Sequence, residues 1–308
     1  MALTQPEEMN FSSKNFTVIL QGLPGVGKTT IALSAPKVMI CDTDEGMCRI
    51  KPEHRKTASF AKTYEEFRED LESAKGKFET VVIDTAGALI EMLKDWAVRN
   101  GNTKKDGTIS LQGYGVVKRE FITLSRELRK NFNVIYVFHA EKTRNGDDIF
   151  YDIVCEGAAK SIVYQPADIA GFVQIIGDKR YIGFSPTAQY NAKSAYGIKG
   201  LIEVPELKPG EPNDFMTKLF DQMRKNLDKE SSELAPKKES YEEAMENGMV
   251  TVLSIEKPED IKNALAIIKG MQHSLTSEKE LISAVKARMK TLGIIYDKET
   301  KTYKYKEN

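Results

Sequence analysis

The stretch "FTVILQGLPGVGKTT", residues 16–30, decides the fold. It opens as a short apolar run of the length of a buried strand, and "GLPGVGKT" (22–29) then satisfies the pattern G-x-x-x-x-G-K-[ST]. In a loop set between a strand and a helix, glycines let backbone amides approach phosphate oxygens, and the helix start adds positive potential. The expected phosphate-binding set is Gly22, Leu23, Pro24, Gly25, Val26, Gly27, Lys28, Thr29 and Thr30. Within it, Lys28 reaches the terminal phosphates and the Thr29 hydroxyl serves magnesium.

Three further apolar runs follow: "KVMICD" (37–42), "TVVIDT" (80–85) and "NVIYVFH" (133–139). Amphipathic stretches lie between them. The first helix begins at Gly27 and stops before Pro36, since proline removes a donor and disfavours helix at its predecessor. A second starts at "TYEEF", where Thr63 and Glu66 have capping-box spacing, and ends near Gly76. A third covers roughly 86–100 and a long one about 113–131. Short runs alternating with helices predict an α/β chain with a mostly parallel, doubly wound sheet.

Acidic residues stand where such sheets bind ligands, outside the C-terminal ends of the strands. "CDTDEG" (41–46) places Asp42, Asp44 and Glu45 behind the second strand, and a carboxylate there is positioned to act on water in line with a terminal phosphate. Asp84, ending "TVVID", is the expected carboxylate for magnesium held through its water shell. "DTAG" (84–87) also matches the D-x-x-G of GTPases, but the strand "VIYVF" is followed by "HAEK" where N-K-x-D would read guanine. ATP is therefore the expected nucleotide. His139 reads equally as a sensor of the terminal phosphate or as a strand-end histidine bonded to backbone, and Lys142 and Arg144 follow it in a loop that faces phosphate, DNA or solvent.

Beyond His139 the pattern turns antiparallel, with a hairpin at Asn145-Gly146 and a second, "GFVQIIGDKRYIGFS" (171–185), turning at "GDK"; such pairs extend the edge of a parallel core. A helix is expected over about 212–227, then a flexible linker at 227–240, "LDKESSELAPKKES". Residues 241–308 are expected as a small helical module, with helices near 258–270 and 277–292 and a terminal hairpin "GIIYDKETKTYKYKE". Residues 1–226 make the first expected domain.

Bulk properties narrow the partners. With 308 residues and 41% hydrophobic content, one large domain and an appendage can be buried. Forty-five basic residues balance 45 acidic ones, so nucleic-acid affinity has to come from a local patch. From residue 286 onward, seven basic residues stand against three acids, with Tyr296, Tyr303 and Tyr305 interleaved. That pattern suits single-stranded DNA, with the alternative that the tyrosines close a small core. Cys41, Cys48 and Cys155 read as free thiols in a reducing compartment. With no apolar signal core in the first 15 residues and no run of about 18 apolar residues, the expectation is a cytosolic protein without membrane contact.

Taken together, "GLPGVGKTT", "ICDTDEG", "VVIDT" and "VIYVFHAEKTRNGD" resemble the RecA/RadA-like P-loop ATPase core, most closely the phage-encoded ATP-binding proteins of the Sak type, single-strand annealing recombinases, over about residues 14–205. The resemblance implies a RecA-like core with antiparallel edge hairpins and a DNA-stimulated, magnesium-dependent ATPase. It further implies action on single-stranded DNA, a homo-oligomer, a phage single-strand-binding protein as partner, and the bacterial host cytoplasm. It puts Asp44 in the water-activating position, where the family usually has glutamate, with Glu45 one residue late as the competitor. Basic residues supplied across a subunit boundary would be Lys193 first, then Lys199 and Arg180. The family's F-x-x-A oligomerisation element is replaced by Phe11-Ser12-Ser13-Lys14. The alternative function is a nucleotide-dependent switch or remodelling ATPase acting on a protein partner.

Overall fold

In the computed structural model the described residues are 11, 13–145, 148–155, 159–208 and 210–306. The chain divides between Asn226 and Leu227 into two compact units. The larger begins with β1 (Thr17–Gly22), α1 (Lys28–Ala32), β2 (Val38–Asp42), β3 (Thr57–Ser59), α2 (Tyr64–Ala74), β4 (Thr80–Asp84), α3 (Ala86–Arg99) and α4 (Leu111–Asn131). There follow β5 (Asn133–Asn145), β6 (Asp148–Ile153), α5 (Ala159–Tyr164), β7 (Ile169–Ile176), β8 (Lys179–Gly183) and β9 (Leu201–Val204).

Nine strands among the described residues form one sheet in the order β3-β2-β4-β5-β1-β7-β8-β9, with β6 paired to β5. From β3 to β7 every neighbour is parallel, while β8, β9 and β6 are antiparallel additions. The expected α/β class, mostly parallel with antiparallel additions, is what the chain forms; β8 and β9 extend one edge as expected, whereas β6 pairs with the far end of β5, a strand inside the sheet. Both faces of the sheet are covered, which is why the strands read as unbroken apolar runs. Ile19, Val81, Ile83, Val134, Tyr136 and Phe138 face a core made with α2, α3, α4 and α5. Their alternates Val18, Leu20, Val82, Ile135 and Val137 face a second core with Ile31, Ala32 and Phe220.

Local signals set the helix starts. Thr63 and Glu66 form the capping box of α2, and the side chains of Thr85 and Ser110 accept from the amides of Ala88 and Gly113 to start α3 and α4. The hairpin β5–β6 forms, with Asn145 opposite Asp148; Gly146, the second residue of its expected turn, lies outside the described residues. The β7–β8 hairpin turns at Gly177, whose φ of 65° favours glycine.

The expected helix end near residue 227 and the flexible linker at 227–240 are corrected. α6 runs without a break from Phe215 to Leu253, carrying Pro236 inside it. A Lys/Glu/Ser-rich run has the same composition as a coil or as a solvent-bathed helix, and α6 carries helical i,i+4 pairs such as Lys238–Glu242 at 3.8 Å.

The second unit contains the later turns of α6, α7 (Pro258–Gly270), α8 (Ser277–Thr291) and the antiparallel ribbon β10 (Ile294–Asp297) and β11 (Thr302–Tyr305). Its own core joins Val252, Ile255, Ile261, Ile268, Leu281, Val285 and Ile294. Gly248 allows α6 and α8 to approach: a Cβ there would meet Leu281 Cδ1 at 2.3 Å. Among the described residues no helix is long and apolar enough to cross a membrane.

Candidate active site

β1 delivers the glycine-rich loop to the C-terminal edge of the sheet, between β5 and β7. Gly27 has φ 90°, and a Cβ on it would lie 2.8 Å from Arg180 Cζ, so both the turn and the approach of the arginine require glycine there. Lys28 is buried, and its ammonium donates to the carbonyls of Gly22 and Leu23, each at 2.9 Å. Burial lowers its pKa to about 8, against the pull of Asp84 and Asp44. The Thr29 hydroxyl donates to Asp84 Oδ2 at 2.6 Å. Burial pushes the Asp84 carboxyl up to about 6; the Thr29 bond opposes this, and the nearby Asp44 and Asp42 add to it.

The three acids behind β2 separate into three roles. Asp42 is buried, and its two oxygens accept from the amides of Gly46 and Met47 at 2.7 and 2.8 Å, so it fixes the following 3-10 turn, Gly46–Arg49. Asp44 lines the cavity in front of the loop, with Oδ2 3.9 Å from His139 Nε2 and Oδ1 3.9 Å from Arg49. Glu45 takes φ 59° and sits 72% exposed in a 2.5 Å ion pair with Lys62, which holds its carboxyl below the usual range. That cavity, about 590 Å³, is lined by Lys28, Thr29, Asp44, Asp84, His139 and Arg180 among others, and Glu45 is not part of its wall.

His139 pairs in register with Gly22 across β5 and β1. Its ring nitrogens face Lys28, at 3.5 Å, and Asp44. Burial and the Lys28 charge lower its pKa, with Asp44 opposing, which favours a neutral ring at neutral pH. The ring thus stands at the phosphate loop, between Lys28 and Asp44.

The three basic residues expected to act across a subunit boundary occupy three different environments. Arg180, on β8, donates from Nε to the Val26 carbonyl of its own loop at 2.6 Å, so it meets the phosphate cavity of its own chain. Lys193 is turned to the carbonyls of Gln165 and Ala167, at 2.8 and 2.5 Å, away from that cavity. Lys199 is exposed ahead of β9. Lys142 and Arg144 are exposed on the β5–β6 hairpin. Sequence reasoning missed Arg49, which lines the cavity opposite the loop; no motif marks it, because only the Asp42-capped turn brings it round.

A G-x-x-x-x-G-K-T loop on the central strand of a parallel sheet, with its threonine bonded to the carboxylate ending β4, defines a P-loop nucleotide-binding ATPase. The family model described as "AAA domain" matches residues 14–196, more than half of the chain, and the chain belongs to that family. A comparison with curated proteins found no match. Among solved structures, a prototypical ATPase from the type III secretion system of pathogenic bacteria is similar at 12% identity, covering 89% of this chain and 81% of that one, with a TM-score of 0.36.

Proposed function

We propose that this protein binds ATP with magnesium and hydrolyses it to ADP and phosphate, and that it does so as a homo-oligomer on single-stranded DNA, in the annealing or pairing steps of phage recombination. The observation that carries the catalytic part is the meeting of Lys28, the Thr29–Asp84 pair and the Asp44–His139 pair in one cavity. Lys28 and the loop amides bind the phosphate oxygens. Asp44 orients the attacking water and accepts its proton, and the neutral His139 reports the terminal phosphate along β5. Asp42 and Glu45 are assigned positioning and surface roles, because their carboxylates are held elsewhere.

The donor set fits magnesium. Thr29 and Asp84 offer oxygen only, and among the described residues no cluster of three His, Cys, Asp or Glu ligands stands ready for an all-protein cage. A small hard cation that keeps waters and shares phosphate oxygens matches such a site. Thr29 would hold it directly and Asp84 through water; when bound, it neutralises phosphate charge.

Support for the DNA part comes from the second unit. On its ribbon Tyr296 and Tyr305 are 47% and 54% exposed, while Tyr303 packs toward the core and against Tyr296 at 5.1 Å. Tyr303 thus closes the module, while Tyr296 and Tyr305, the latter with its hydroxyl donating to the Glu256 carbonyl at 3.5 Å, keep exposed ring surface for bases on a ribbon that also carries exposed Lys298, Lys301 and Lys306. Lys199, Lys142 and Arg144 are exposed and available to phosphates or to a neighbouring subunit. The test is ATP turnover with and without single-stranded DNA over a range of salt. Stimulation that fades as salt rises is the expected result, whereas turnover indifferent to DNA, with no salt-sensitive binding, leaves the reading of an ATPase acting on a protein partner.

A further inference from the structure

Three cations among the described residues line the phosphate cavity, and they are held differently. Lys28 is bonded to the carbonyls of Gly22 and Leu23, and Arg180 to that of Val26. The Arg49 guanidinium makes no hydrogen bond among the described residues. Its ionic partner there is Asp44, whose Oδ1 lies 3.9 Å from Nη2, beyond direct hydrogen-bond reach. The backbone beneath this loosely held side chain is, by contrast, tied on every side. Asp42 accepts from the amides of Gly46 and Met47, and Arg55 donates to the carbonyls flanking Arg49, those of Cys48 at 3.3 Å and Ile50 at 2.9 Å. Gly46 leaves room for both partners of the pair, since a Cβ there would lie 3.2 Å from Asp44 Oδ1 and 3.3 Å from Arg49 Nη2.

The two arginines approach the loop from opposite sides of β1. Arg180 comes from β8, beyond β7, and meets the loop backbone at Val26 and Gly27. Arg49 follows β2, beyond β5 and β4, on the side where Asp44 and His139 stand. A terminal phosphate placed for attack by water at Asp44 is therefore on the Arg49 side. We infer that Arg49 is a catalytic residue for its own chain: its guanidinium turns from Asp44 onto the terminal phosphate, neutralises the charge that develops there in the transition state, and leaves Asp44 Oδ1 open to the attacking water. The inference rests on the reading of the cavity as an ATPase site, and it makes a basic residue from a neighbouring subunit unnecessary for this role. As the water oxygen bonds to the terminal phosphorus, the bond to the bridging oxygen breaks, its electron pair leaves with ADP, and the water's proton passes to Asp44. A planar guanidinium suits both partners, because its fork matches a carboxylate and a phosphate alike.

The test is ATP turnover by the full chain with magnesium, alongside calorimetric binding of ADP alone and of ADP with aluminium fluoride, a mimic of the phosphoryl group in transfer. Arg49→Ala should lower kcat about 100-fold or more. KM should stay within about three-fold and ADP binding should be unchanged, the latter showing that the loop remains folded. Aluminium fluoride should tighten ADP binding to the native chain at least about ten-fold, and to Arg49→Ala hardly at all. Arg49→Lys keeps the charge without the fork and should recover only part of kcat. Mixing Arg49→Ala with a Lys28→Ala chain should restore no turnover. A kcat for Arg49→Ala within about three-fold of native, or equal tightening by aluminium fluoride in both chains, overturns the catalytic role. Restored turnover on mixing gives the arginine to a neighbour's site and overturns its action within one chain. If the native chain neither hydrolyses ATP nor binds ADP, the ATPase reading itself falls, and this inference with it.

Discussion

Replacing Asp84 by asparagine should make the magnesium- and nucleotide-free protein more stable at neutral pH while removing its hydrolytic activity. The carboxyl is buried beside Thr29, and its pKa rises from 3.8 unfolded to about 6 folded. Above pH 6 both states carry the ionised acid, and the folded state bears the full cost of burying it, about 3 kcal/mol for a rise of this size. As pH falls from 6 toward 4 the folded state takes up the proton first, so stability is gained across that window. Below the unfolded pKa the whole cost has gone. Asparagine is neutral throughout and still accepts from Thr29. Thermal unfolding in a chelator at pH 7.5 should place Asp84→Asn roughly 6–12 °C above the native chain, with the gap closing by about pH 4. Magnesium and ATP should then raise the native midpoint well above the variant's. Equal melting temperatures at pH 7.5, or a gap indifferent to pH, would refute the burial argument.

The division of labour behind β2 gives a paired prediction: Asp44→Asn should lower kcat at least about 100-fold with ATP binding retained, while Glu45→Gln, which only breaks a surface pair with Lys62, should stay within about two-fold. Steady-state turnover with an ATP titration of each variant decides it. Arg180→Ala frees the Val26 carbonyl and removes a guanidinium from the cavity wall, so the KM for ATP should rise several-fold; mixing this variant with a Lys28→Ala chain should not bring that KM back down, because the arginine meets its own loop. In the second unit Leu281→Ala should cost about 2–5 kcal/mol, read as lost amide protection across α8 in hydrogen exchange.

Much of this site was legible because its parts announce themselves locally. A parallel strand buried on both faces is a bare apolar run, and an acid at its end stands out, so Asp84, Asp44 and the loop could be placed without coordinates. The capping box of α2 and the acceptors at Thr85 and Ser110 are equally local. What was hidden depends on conformation or on distance along the chain. Asp42, Asp44 and Glu45 are neighbours of similar chemistry, and only the left-handed backbone at Glu45 and the amides of Gly46 and Met47 sort them. Arg180 lies 154 residues from Val26 in sequence, and no spacing rule joins them. The linker misread as flexible shows the converse: charge, serine and one proline describe solvent exposure, and α6 is exposed and helical at once.

One strand leads from the site into the β5–β6 hairpin. β5 carries Ile135 and Val137 in one core, Val134, Tyr136 and Phe138 in the other, then His139 beside Lys28, and it continues without a break to Arg144 and Asn145. Arg144 lies five residue steps of extended chain beyond His139, about 17 Å. Because that span is paired along its length with β6, it behaves as a stiff arm rather than a loop. A tilt of β5 caused by what the phosphate cavity holds would be carried out to the exposed Lys142 and Arg144 instead of being absorbed on the way.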